Sequence, residues 1–125
     1  MGDPTADFLG RLSQRPASPI TMKARGTIRL DVERDAGTDV WFVMLRDGAI
    51  QVSRQDRQPD LVIRGHHTLF DRLAQGRAQL LAALMRNEIT VEGDLALLPA
   101  FERLLPGPEG AHHPRDFARA GGQGS

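Results

Sequence analysis

Between Thr68 and Leu105 the spacing of apolar residues changes from helical to alternating and back, and this order of elements restricts the fold more than any other feature. The stretch LFDRLAQGRAQLLAALMRNEITVEGDLALL places Leu69, Phe70, Leu73 and Ala74 on one helical stripe and Leu80, Leu81, Leu84 and Met85 on a second. Gly76 ends the first helix, and Asn87 can take the left-handed conformation that ends the second. Thr68 is the expected N-cap of the first helix, with Asp71 three residues on. Ile89 and Val91 then alternate as a strand, and Asp94 is placed to cap a last helix with Leu97, Leu98, Phe101, Leu104 and Leu105 inward. Pro99 should kink that helix or shift its start, because it removes a backbone donor.

The preceding residues have period two. In GTIRLDVE, Ile28, Leu30 and Val32 alternate with charged residues. VWFVMLR follows, Asp47-Gly48 is a hairpin signal, AIQVSR returns, and DLVIRG is a fourth strand after the polar turn RQDRQP. Read in succession, these four strands form an antiparallel meander. Helices grouped between strands four and five, rather than after every strand, give an α+β domain: a five-stranded, mostly antiparallel sheet with helices packed on one face. Its expected core is Ile28, Leu30, Val32, Trp41, Val43, Leu45, Ile50 and Val52 under the helical stripes. Upstream, Thr5 to Arg15 forms a short helix with Phe8, Leu9 and Leu12 on one side, and Pro16 and Pro19 open an extended link through Ala24. Residues 111–125, rich in Gly, Pro and His, are expected to be a flexible tail.

Composition excludes several functions. Sixteen basic and sixteen acidic residues cancel, which disfavours nucleic acid as a partner. The absence of cysteine removes disulfides, thiol nucleophiles and thiolate metal sites. The apolar run Leu80 to Met85 is far too short to span a bilayer, and the start MGDPTADFLGRLSQR lacks a secretory apolar core, so a cytoplasmic location is expected. Serines 13, 18, 53 and 125 lie in no nucleophile elbow, no phosphate-binding glycine loop precedes a helix, and the pairs His66-His67 and His112-His113 lack metal-ligand spacing. No enzyme, cofactor or metal is therefore expected. A helix-turn-helix reading of residues 68–86 fails because QLLAALM offers bases and phosphates little to meet beyond Arg77 and Arg86.

The Trp41 strand ending in Asp47-Gly48, the run from Asp60 to Ile63, Leu73 to Gly76, and Glu88 to Asp94 a dozen residues further resemble the sterol carrier protein type 2 family. FLGRLSQR, GTIRLDVE and LLPGPEG look like its small stand-alone bacterial members, and the resemblance covers roughly residues 5–110. Two positions depart from the family's pattern: Asn87 stands where glycine is usual, and Pro99 sits inside the last helix.

The resemblance implies a non-catalytic lipid-binding and transfer protein with an apolar tunnel between sheet and helices. Its walls would be Trp41 and Val43 on the sheet and Phe70, Leu73, Leu80, Leu81, Leu84, Met85, Leu97, Leu98 and Phe101 on the helices. The ligand would be a fatty acid, acyl-CoA, sterol or isoprenoid, with at most transient membrane contact and a gate at the kinked last helix. The alternative is a lipid-free accessory module with the same fold and a closed core. Val40, Phe42 and Met44 point away from the helices and form a possible homodimer face, unless the N-terminal helix or a loop covers them.

Overall fold

In the computed structural model, residues 3–14 and 24–106 are described. The extended link over 15–23, the end of the domain beyond residue 106, and the 111–125 tail fall outside them. The elements run α1 (Pro4–Leu12), β1 (Gly26–Arg34), β2 (Gly37–Arg46), β3 (Ala49–Ser53), β4 (Leu61–His66), α2 (His67–Ala74), α3 (Leu80–Met85), β5 (Ile89–Gly93) and α4 (Leu97–Leu104). The sheet order is β3-β2-β1-β4-β5, with β1 at the centre.

The meander holds for β1 to β3 and then fails. At the β2–β3 turn Asp47 has φ 52° and Gly48 φ 81°, so both central residues take the left-handed conformation that a two-residue hairpin requires. β4, however, pairs parallel with β1 on the far side of the sheet, which makes the sheet mixed. The polar turn expected over 54–59, together with Asp60, is instead a crossover. Seven residues suffice because β3 is short. It ends at Ser53, beside Phe42 and hence level with Arg29, while β4 starts at Leu61, beside Ile28. The chain therefore moves almost purely sideways by three strand spacings, about 14 Å, within an extended reach of about 23 Å. Thr27 secures the landing: its N–H donates to the Asp60 carboxylate at 2.8 Å, and its carbonyl accepts from the Asp60 N–H at 2.7 Å.

All four described helices contribute to a single core with one face of the sheet. Phe8, Leu9 and Leu12 of α1 join Ile28, Leu30, Val32, Val43, Leu45, Ile50, Leu61 and Ile63 of the sheet, and residues of the later helices complete the cluster. α1 is fixed at its start by Asp3, whose carboxylate accepts from the Thr5 and Ala6 N–H groups and pairs with Arg34 at 2.7 Å. The buried Thr5 hydroxyl donates to Asp71 of α2 at 2.7 Å. Asp71 thus ties α1 to α2 rather than completing a cap for its own helix. The cap of α2 is His66, whose Nδ1 accepts from the Thr68 N–H, two residues earlier in the chain than the expected cap at Thr68.

Both expected stop signals operate, and each closes a Schellman motif. Gly76 has φ 76°, and the following Arg77 N–H returns to the Arg72 carbonyl; Asn87 has φ 61°, and the Glu88 N–H returns to the Ala83 carbonyl. α4 starts later than its sequence suggests. Asp94 accepts from the Ala96 N–H in a preliminary turn, and the helix proper begins at Leu97. Pro99 then lies in the first turn, where backbone N–H groups have no helical acceptor, so its missing donor costs nothing and no kink is needed.

Candidate functional site

The candidate site is the apolar layer between the sheet and α2, α3 and α4. Val43 enters from β2 and is fully buried, with Trp41 two residues away packed at the margin. From the helices come Phe70, Leu73, Leu80, Leu97 and Phe101, all buried, with Leu84 and Leu98 half-buried against them. Nine of the eleven sequence-derived residues therefore converge on one layer. Among the described residues the buried polar side chains are Thr5 and Asp31, and neither faces this layer's centre: Thr5 opens α1, and Asp31 belongs to the opposite face of β1.

Leu81 and Met85 do not join the other nine. They are 56% and 77% exposed. The inward face of α3 is instead Leu80, Ala83 and half-buried Leu84, a stripe that small Ala83 can complete because close approach to the core needs little volume there. The sequence stripe was centred one residue too far around the helix because alanine was given no weight as a core residue. Three residues follow i, i+3, i+4 as well as i, i+1, i+4 do on a helix this short, so spacing alone did not choose between them.

Gly65 shapes the layer from the sheet side. A Cβ there would stand 2.9 Å from Ile89 and 3.4 Å from the Phe70 ring, so the absent side chain lets the α2 aromatic lie against β4. At the margin Arg54 places its guanidinium 4.3 Å from the centre of the Trp41 ring while its Nε donates to the Val40 carbonyl at 2.8 Å. Trp41 is thereby held by a cation on one side and the core on the other. The open hollows defined on the described residues, of about 400, 280, 100 and 330 Å³, lie at the strand ends and on the outer face, around Met44 and Arg64.

Of the two readings of Val40, Phe42 and Met44, a bare patch or a covered one, the covered one holds for Phe42. Phe42 is 1% exposed within the single chain, and Val40 and Met44 are half-buried. α1 is on the other side of the sheet. Among the described residues the crossover runs near this outer face: Asp56 is close enough to act electrostatically on Arg29, and Arg57 borders hollows with Met44 and Gln51. Phe42 is consequently unavailable for a homodimer contact. Beside it Asp31, its side chain 3% exposed, receives both arms of Arg29 at 2.8 and 2.9 Å and is approached by Arg64 at 3.1 Å. The Arg29 hydrogen bond and then Arg64 hold this carboxyl below the ordinary aspartate range despite its burial.

No catalytic constellation forms around these groups. His67 Nδ1 lies 3.4 Å from Asp71, but the hydroxyl nearby, on Thr5, donates to the same carboxylate and has no base to accept from it. Among the described residues no three histidine, aspartate or glutamate side chains are grouped so as to hold a metal. No described helix is long and apolar enough to cross a membrane.

A mixed five-stranded sheet with the described helices on one face and an apolar layer between them defines an α+β fold of the sterol-carrier type. The pattern defining the SCP-2 sterol transfer family matches residues 8–106, and the chain belongs to that family. Among solved structures, the palmitated SCP2L2 of Aedes aegypti aligns with a TM-score of 0.64 at 18% identity, over 90% of this chain and 100% of that one. The sterol carrier protein domain 2 of Helicoverpa armigera aligns with a TM-score of 0.68 at 16% identity, over 81% of this chain and 84% of that one. The sec-alkylsulfatase Pisa1 of Pseudomonas contains the same fold: its TM-score is 0.65 at 19% identity, with 86% of this chain covering 16% of the enzyme. A comparison with curated protein sequences finds no match.

Proposed function

We propose that the protein is a non-catalytic carrier that buries the hydrophobic tail of a lipid, such as a fatty acid, acyl-CoA, sterol or isoprenoid, between its sheet and its helices. The observation that carries this reading is the uniformly apolar layer formed by Trp41, Val43, Phe70, Leu73, Leu80, Leu84, Leu97, Leu98 and Phe101. Such a layer offers a tail roughly 0.8 kcal/mol per buried methylene and offers a head group nothing directional. Selectivity would therefore follow length and shape of the tail more than head-group chemistry. Leu81 and Met85 have no part in this lining, because they face outward. Palmitate on the Aedes relative agrees with a fatty acyl ligand in this fold.

Admission of a tail requires the layers to separate, since Val43, Ile63 and Leu80 have no exposed surface. α3 is the element best suited to move. It has six residues, lacks a side-chain N-cap, and is bounded by Gly76 and Asn87 in left-handed conformations. This replaces the gate at Pro99, which lost its basis with the kink. The same complete burial favours a second reading, a lipid-free accessory module whose core stays closed. Native mass spectrometry of the purified protein, with identification of solvent-extracted molecules, separates the two. A lipid of defined stoichiometry supports the carrier. An empty protein that also takes up no fluorescent fatty acid supports the closed module.

A further inference from the structure

α3 has two faces with opposite properties. Leu80 and Ala83 are buried in the core, while Leu81 and Met85, one turn apart and therefore adjacent on the surface, are 56% and 77% exposed. Singly such residues are ordinary on a protein surface, but side by side these two make a small apolar patch. The surrounding charge is also uneven. Residues 72–88 contain three arginines and one glutamate, a surplus of two positive charges on a chain of zero net charge. The glutamate, Glu88, is engaged by Arg72 at 3.7 Å. Arg77 and Arg86, which flank α3, are exposed, and neither guanidinium has a partner among the described residues.

We propose that Leu81 and Met85, framed by Arg77 and Arg86, form the surface by which the protein rests on an anionic phospholipid bilayer. Two apolar side chains inserted among acyl chains, with cations at head-group level on either side, match the layering of such a membrane. A second copy of the chain is a poorer occupant. A stable dimer buries about 800 Å² per partner, and one face of a six-residue helix falls well short of that. Docking here would place the helix proposed to admit the ligand directly on the lipid, yet the docking itself does not depend on whether the interior takes a tail.

Flotation with phosphatidylglycerol-containing vesicles at low salt, against pure phosphatidylcholine vesicles, tests this. Wild type should float with the anionic vesicles and less with the neutral ones. Leu81→Asp with Met85→Asp should weaken partitioning by at least about tenfold, and Arg77→Gln and Arg86→Gln by about fivefold each. All four side chains are at the surface, and unchanged circular dichroism verifies that the variants remain folded. Failure of wild type to float, or equal flotation of the Asp double variant, overturns the proposal. So does a wild-type dimer that the double variant loses, which would assign the face to a second copy. A protein that floats but carries no lipid refutes the carrier reading alone.

Discussion

Removing Arg29 should damage the protein more than removing the aspartate it holds. Asp31 is the buried member of its cluster, with a side chain 3% exposed, whereas Arg29 and Arg64 are 33% and 53% exposed. Arg29 supplies the one bond to Oδ1, and Oδ2 is shared with Arg64. Arg29→Ala therefore leaves a buried carboxylate with one oxygen unpaired and with only a half-wet partner on the other. Breaking a buried pair costs about 3–5 kcal/mol, and the remaining Arg64 contact lowers the expected loss to about 2–3 kcal/mol. Asp31→Val leaves two arginines that already reach water and adds an apolar side chain beside Phe42, so its effect should stay within about 1 kcal/mol of wild type. Urea unfolding at neutral pH gives both values. Because the folded pKa of Asp31 is depressed, its contribution is fully present above the unfolded value near 4 and disappears as pH falls through the lower folded value. The difference between wild type and Asp31→Val should change in that acid window and be flat above it. Loss of less than about 0.5 kcal/mol in Arg29→Ala, or of more than about 3 kcal/mol in Asp31→Val, would refute the assignment of the buried charge.

Leu80→Ala should cost about 2–5 kcal/mol and Leu81→Ala less than about 0.5 kcal/mol; thermal unfolding of the two reports which side of α3 faces the core, and equal losses would contradict the assignment. Gly93→Ala should lose at least about 2 kcal/mol, since Gly93 has φ +116° and an added Cβ would collide with the Asp60 carbonyl; near-wild-type stability would mean that β4 and β5 do not meet as closely as described. Arg54→Ala should shift the emission of Trp41, the single tryptophan, with little loss of stability, because the guanidinium over its ring is half-exposed; an unchanged spectrum would place the ring elsewhere.

What the sequence revealed was mostly local. Asp47-Gly48, Gly76 and Asn87 each adopt a positive φ, a backbone requirement that residue type announces directly. The alternation in β1 and β2 sorted inward from outward residues correctly. The crossover was hidden because seven residues, six of them polar, have the length of an ordinary loop, and only the matching ends of β3 and β4 make it long enough to pass two strands. At Phe42 the pattern left open whether the outer face is bare or covered, because a strand's alternation tells which face a side chain takes but not what later covers that face. At α3 the ambiguity was intrinsic, since a six-residue helix of Leu, Ala and Met has apolar residues on every side.

The central claim is that the layer under α2, α3 and α4 takes a lipid tail. Titration of the uniformly labelled protein with palmitate, following backbone amide signals together with Trp41 emission, tests it most directly. The account predicts saturable one-to-one binding with the largest amide shifts at Val43, Leu73, Leu80 and Phe101. An absence of saturation, or shifts confined to the outer face around Met44 and Arg64, would contradict it.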